Sequence, residues 1–237
     1  MVFAFASGTL AHTLPAVLPI TRYTTDGLLL VLNGLLLYAI YRRNRDRWLL
    51  VWLVVAYCFT FAAEAVGVAT GALFGEYAYG ATMRWQWLGV PFVIALNWCV
   101  LTLGCNEVAL RVWSGVGGFT TERPAGYTEG FTEFSQRGVA LEGGHRGGMT
   151  WRSFGVAVVA SVLIALYDVA IEPVAVKLDY WQWGGGTIPF RNYVMWAVVA
   201  LAISLPLQVL GIRFRSPLLL VYLGAQLFFF GVLNLVL

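Results

Sequence analysis

An all-α bundle of membrane-crossing helices is the fold this sequence predicts, and three observations lead to it. The chain is 59% hydrophobic and only 11% charged, whereas water-soluble domains carry about 25% charged residues. Six stretches are long and apolar enough to cross a bilayer, which takes about 20 residues per helix. The basic residues crowd into alternate connections between those stretches, as the positive-inside rule requires. No internal repeat is evident, so residues 1–237 read as a single integral membrane domain. The net charge of +3 gives no argument for a nucleic-acid partner; the lipid bilayer is the expected surrounding.

In chain order, residues 1–20 are a candidate seventh span at the N-terminus. They contain His12, Pro15 and Pro19 and lack a basic leading region, which argues against a cleaved signal peptide. A short interfacial helix and a retained signal-like segment are the other two readings. The six firm spans fall at 26–41, 48–72, 90–113, 153–177, 189–210 and 216–237. The stretch 114–152 is rich in Gly, Thr, Glu and Arg and reads as a flexible cytoplasmic loop. One set of connections holds eleven basic residues, among them Arg42, Arg43, Arg45, Arg47, Arg213 and Arg215. The other set holds four: Arg22, Arg84, Lys177 and Arg191. The richer side is therefore cytoplasmic and the C-terminus outside, in a multi-pass protein of the cell membrane.

Counting removes several chemistries. Two histidines, His12 and His145, cannot form a His-rich metal site, and no metal site is expected. Cys58, Cys99 and Cys105 lie in apolar runs without metal spacing and read as small buried hydrophobes.

Four acidic residues lie within spans: Glu64, Glu107, Asp168 and Glu172. Charge in lipid is costly, so each needs a use or a partner. Glu107 stands four residues before Arg111, and an ion pair along the helix accounts for it. Glu64 and Asp168 lie roughly 24 and 23 Å from the cytoplasmic starts of their helices, which brings them to one depth. Thr60, Glu64, Gly67 and Gly71 form one helical stripe, and Ser161, Ala165, Asp168 and Glu172 form another. Pro173 frees the Val169 carbonyl beside the acids. These acids, with Asn97, Arg191 and Asn192, predict a polar pocket toward the outer face, capped by the aromatic loops at 74–79 and 179–186. Two plainer readings stay open: acids as polar glue between helices, and Trp85, Trp87, Trp181 and Trp183 as an interfacial belt.

Clustered carboxyl groups in apolar surroundings suit acid–base chemistry on a lipid-soluble substrate. Protonating an isolated carbon–carbon double bond gives a tertiary cation, which aromatic faces stabilise and water captures if a carboxylate takes the proton. A retinal photoreceptor would need a lysine in its last helix, and the one lysine, Lys177, is not there. A prenyltransferase would need two Asp-rich motifs, and Asp168 with Glu172 resembles half of one. A proton-coupled transporter remains the non-enzyme reading.

Three blocks carry a resemblance: EAVGVATGALFGEYAYG (64–80), LGVPFVIALNW (88–98) and YDVAIEPVAVKLDYWQWGGGTIPFRNYVMW (167–196). Their order and spacing resemble the membrane carotenoid hydratases of the bisanhydrobacterioruberin hydratase type. The resemblance implies an enzyme of carotenoid biosynthesis, a hydro-lyase that needs no cofactor and adds water to the terminal (1,2 or 1′,2′) double bond of an acyclic ψ-end group. The substrate would be of the lycopene, γ-carotene or bacterioruberin-precursor type. The implied catalytic acids are Asp168, Glu172 and Glu64. Substrate contacts are expected from Phe74, Tyr77, Tyr79, Asn97, Trp98, Trp181, Trp183, Arg191 and Asn192. Two departures bear on substrate choice: the aromatic, basic segment 81–87, and Glu172 before Pro173 where the family pattern favours Asp. A lycopene cyclase starting with the same protonation, or an isoprenoid-binding protein without chemistry, is the alternative.

Overall fold

The long apolar runs become helices in a computed structural model of the protein, which describes residues 2–14, 16–117 and 149–237. The helices among the described residues are α1 (Val2–Thr13), α2 (Leu18–Asn44), α3 (Arg47–Thr70), α4 (Phe92–Gly117), α5 (Trp151–Lys177), α6 (Phe190–Val209) and α7 (Pro217–Val236). Six of them, α2 to α7, are long and apolar enough to cross a membrane, and their spans match the six expected ones to within three residues at each end. The expected seventh span is corrected: α1 has 12 residues, about 18 Å of helix, against a hydrocarbon core of about 30 Å. It lies along α7, with Phe5 against Tyr222 and Phe229 and His12 against Phe229. Residues 118–148, most of the loop expected at 114–152, are outside the described residues.

Helix α4 is the centre of the bundle. Its span is 72% buried, whereas the other five are 28–44% buried and turn apolar faces outward. Cys99 and Cys105 are buried as expected, but Cys58 is exposed, because it lies on the outward face of α3.

The arginine-rich end is held by polar ties. Asp46 caps α3 by accepting from the Trp48 backbone N–H at 3.1 Å and also accepts from the Arg213 backbone N–H at 3.1 Å, linking the α2–α3 turn to the α6–α7 connection. Glu107 pairs with Arg111 at 2.8 Å, as its spacing predicts, and with Arg215 at 2.8 Å. The second partner comes from another connection and could not be read from spacing.

At the opposite end the connections form short antiparallel strands: β1 (Tyr77–Tyr79), β2 (Gln86–Trp87), β3 (Val90–Pro91) and β4 (Trp181–Trp183). β2 pairs with β3, while β1 pairs with β4 across about a hundred residues of chain, Tyr77 opposite Trp183 and Tyr79 opposite Trp181. Side chains two apart on a strand share a face, so all four aromatic rings point the same way. Two glycines allow the ribbon to seat. Gly75 has φ +125°, and a Cβ there would lie 2.6 Å from Pro189 Cγ. At Gly80 a Cβ would lie 2.1 Å from the Asp179 carbonyl oxygen.

Gly75→Ala and Gly80→Ala are each expected to lower stability by roughly 1–3 kcal/mol, through strain and overpacking. Thermal unfolding in lipid nanodiscs measures this. Gly34→Ala, where nothing lies within 4 Å of the added Cβ, should cause no loss.

Candidate active site

The two polar stripes face inward. On α3, Thr60, Glu64 and Gly67 are buried, as is Gly71 just past its end; on α5, Ser161, Asp168 and Glu172 are buried and Ala165 is half-buried. Gly67 is small for a reason beyond helix approach. A Cβ there would lie 2.7 Å from the Phe74 ring and 3.0 Å from the Tyr77 hydroxyl, so the ribbon aromatics reach Glu64 only past a glycine.

Each glutamate receives three donors. Glu64 Oε2 accepts from the hydroxyls of Tyr77 at 2.5 Å and Tyr79 at 2.9 Å, and its Oε1 accepts from the Trp98 indole N–H at 2.9 Å. Glu172 Oε2 accepts from the indole N–H groups of Trp181 at 2.9 Å and Trp183 at 3.0 Å. Its Oε1 accepts from the Asn192 amide at 3.0 Å. The same amide nitrogen donates to Asp168 Oδ2 at 2.7 Å, so one side chain of α6 joins both acids of α5. One face of the β1–β4 ribbon thus serves two carboxyl groups, β1 through its tyrosines and β4 through its tryptophans.

These donor sets differ in kind. Indole and amide N–H groups only donate, so all three contacts of Glu172 suit an ionised carboxylate. Asp168 Oδ1 is buried without a hydrogen-bond partner among the described residues. Burial, and after it the Glu64 carboxylate, pushes the Tyr77 and Tyr79 hydroxyls above the usual phenol range. Both phenols are therefore firm donors at neutral pH.

A cavity of about 110 Å³ opens against this cluster. Glu64, Glu172 and Asn192 line it, with Phe74, Tyr77 and Tyr79 from β1 and the turn before it. Trp181, Trp183 and Asn97 line it too. Three residues expected at the site stand elsewhere. Asp168 is behind Asn192 and does not line the cavity. Trp98 is behind Glu64 and stacks on Trp196 with ring centroids 4.0 Å apart. Arg191 is exposed, is not on the cavity wall, and donates to the Gly71 carbonyl at 2.7 Å at the end of α3. The tryptophans divide: Trp181 and Trp183 are buried in the site, whereas Trp85 and Trp87 are exposed.

Sequence reasoning missed Trp196 and Gln226, both on the cavity wall. Gln226 accepts from the Tyr167 hydroxyl at 2.6 Å and donates to the Tyr222 hydroxyl at 2.9 Å. Tyr222 in turn donates to Asn33. A glutamine inside the apolar run 216–237 was the signal that could have identified it.

The model of the family described as carotenoid biosynthesis protein matches residues 26–124 and 133–237. No curated protein and no solved structure gives a match.

Removing one donor from a buried carboxylate costs about 1–3 kcal/mol. Tyr77→Phe and Glu64→Gln are expected to be non-additive by roughly 0.5–3 kcal/mol, measured as a double-mutant cycle on unfolding in nanodiscs. The tyrosines also set an alkaline limit. The stability contributed by keeping Tyr77 and Tyr79 protonated is fully present below about pH 10, the unfolded value. It is lost as pH rises through their higher folded values. In the folded protein, the tyrosinate absorbance that grows in near pH ~10 should be the same in wild type and in a Tyr77→Phe, Tyr79→Phe double variant.

Proposed function

We propose that this chain, which belongs to the carotenoid biosynthesis protein family, adds water to the terminal double bond of an acyclic carotenoid end group. The observation that carries the reading is the meeting of two carboxyl groups, Glu64 and Glu172, and a ring of aromatic side chains at one cavity, with Asp168 tied to Glu172 through the Asn192 amide.

In this reading the end group enters the cavity between the ribbon aromatics and Glu172. The Asp168–Glu172 pair holds one proton, resting at Asp168 Oδ1. The proton crosses within the pair and leaves from Glu172, the member on the cavity wall, to C2 of the double bond. The π electrons form the new C–H bond and leave a tertiary cation at C1. The faces of Tyr77, Trp183 and Phe74 and the Glu64 carboxylate stabilise that cation. A water oxygen bonds to C1, and the proton it sheds returns to the Glu172–Asp168 pair. The sum is addition of one water, with the enzyme unchanged. Asn192 is a positioning residue, since one amide fixes both carboxyl groups.

Expression in a bacterium that makes lycopene or γ-carotene, followed by mass analysis of the pigments, tests this. The expected product is heavier by one water, a tertiary 1-hydroxy carotenoid. Glu172→Gln and Asp168→Asn should each reduce its formation by about 10²–10⁴-fold, the usual worth of a general acid–base group, with folded protein still present in the membrane. A product of unchanged mass with altered absorption would show cyclisation instead. Wild-type hydration in Asp168→Asn would remove the acid pair from the mechanism.

A further inference from the structure

The cavity extends beyond the acid cluster to a wall built by α1, α2 and α7. Ala4, Phe5, Gly8 and His12 of α1 line that part, opposite Leu28 and Leu29 of α2 and beside Phe229 of α7. Its polar side chains are Thr25, whose hydroxyl donates to the Thr21 carbonyl at 2.7 Å, Gln226, which is paired with Tyr167 and Tyr222, and His12, which is 6% exposed. The ring sits edge-on to Phe229, with centroids 5.4 Å apart.

The two ring nitrogens of His12 are not equivalent. Nδ1 lies 2.8 Å from the Gly8 carbonyl oxygen. A carbonyl only accepts, so Nδ1 carries the hydrogen. In the neutral ring Nε2 is then a bare acceptor. It is buried and has no hydrogen-bond partner among the described residues. A buried acceptor without a donor is a net cost to the fold, and buried polar groups are rarely left so. The hydrogen bond to Gly8 lies one turn back within α1 and would hold the ring without help from Nε2, so Nε2 is not needed for the fold of the helix.

We infer that His12 is a specificity-determining residue, whose Nε2 accepts a hydrogen bond from a hydroxyl on the isoprenoid end group held in the cavity. The inference rests on the reading of the cavity as an isoprenoid site. A hydrocarbon end leaves Nε2 unsatisfied, and a hydroxylated one satisfies it. The residue therefore discriminates between end groups at a position separate from the acids. A site built around a hydrogen bond rejects the analogue that lacks it, because the polar group is left unpaired. Small Ala4 and Gly8 on the same wall leave space for the chain to reach the ring.

The test is binding without turnover. Phytane and its alcohol phytanol share a branched C20 skeleton and have no double bond to protonate. Each is equilibrated with the full-length protein in nanodiscs, and retained ligand is counted against empty nanodiscs. Wild type is expected to prefer phytanol by about 2–10-fold, the worth of one net hydrogen bond. In His12→Phe the ratio should fall to about that of empty nanodiscs, and His12→Gln, which restores an acceptor, should recover part of it. Thermal unfolding confirms that each variant is folded. Equal binding of the two chains by wild type, or an unchanged preference in His12→Phe, overturns the assignment of His12 and leaves the isoprenoid reading standing. Retention of neither chain overturns both.

Discussion

Glu64, Asp168 and Glu172 lie buried in the apolar interior of a membrane protein, and each must be met by donors or by a proton. A buried polar group without a partner costs free energy, and a buried unpaired charge costs far more. Glu64 and Glu172 are met by neutral donors rather than cations: two phenols and an indole for one, two indoles and an amide for the other. Arg191, the basic residue that sequence placed beside them, is turned away to cap α3. This choice has a chemical consequence. A guanidinium within contact would bring a fixed positive charge into the site, whereas phenol and indole donors bring none and present π-faces to the same space.

The rest of the ribbon end follows from that requirement. Four aromatic donors must point at two carboxyl groups on different helices, and a two-stranded ribbon does this because alternate residues share a face. The strands must pair with Tyr77 opposite Trp183; a slip of one residue would turn every donor to the wrong side. Gly75 and Gly80 allow the ribbon to lie close to its neighbours, and Gly67 allows the rings to reach Glu64. Asn192 supplies the remaining amide from the first turn of α6. At the other end Glu107 takes two arginines, the solution for a carboxylate near solvent, where a cation can be held at small cost.

Much of this was legible in the sequence, and the residues say why. Six spans were readable because lipid demands long apolar runs. Glu64, Asp168 and Glu172 stood out because acids in such runs are rare, and helical spacing put each on an inward face. The tie from Glu107 to Arg111 was local and therefore visible. Arg215 on Glu107, Trp98 on Glu64, and Gln226 between Tyr167 and Tyr222 join distant segments, and no spacing rule reaches across them. Residues 1–20 left three readings open that composition could not separate, and the helix that forms there, α1, has 12 residues. Trp181 and Trp183 could not be told from Trp85 and Trp87 by composition, since an indole suits an interface as well as a buried donor role.

By itself, then, the sequence determined the class of protein, the number of long apolar helices and where along its helix each acid stands. These depend on local properties: hydrophobicity over about 20 residues and a rise of 1.5 Å per residue. Tertiary structure decided which acid faces the cavity, which stands behind it, and which aromatics serve as donors. Those depend on strand register and on side chains brought together across α3, α5, α6 and the ribbon. Hydrogen bonds act over about 3 Å, a scale that only the packed chain defines.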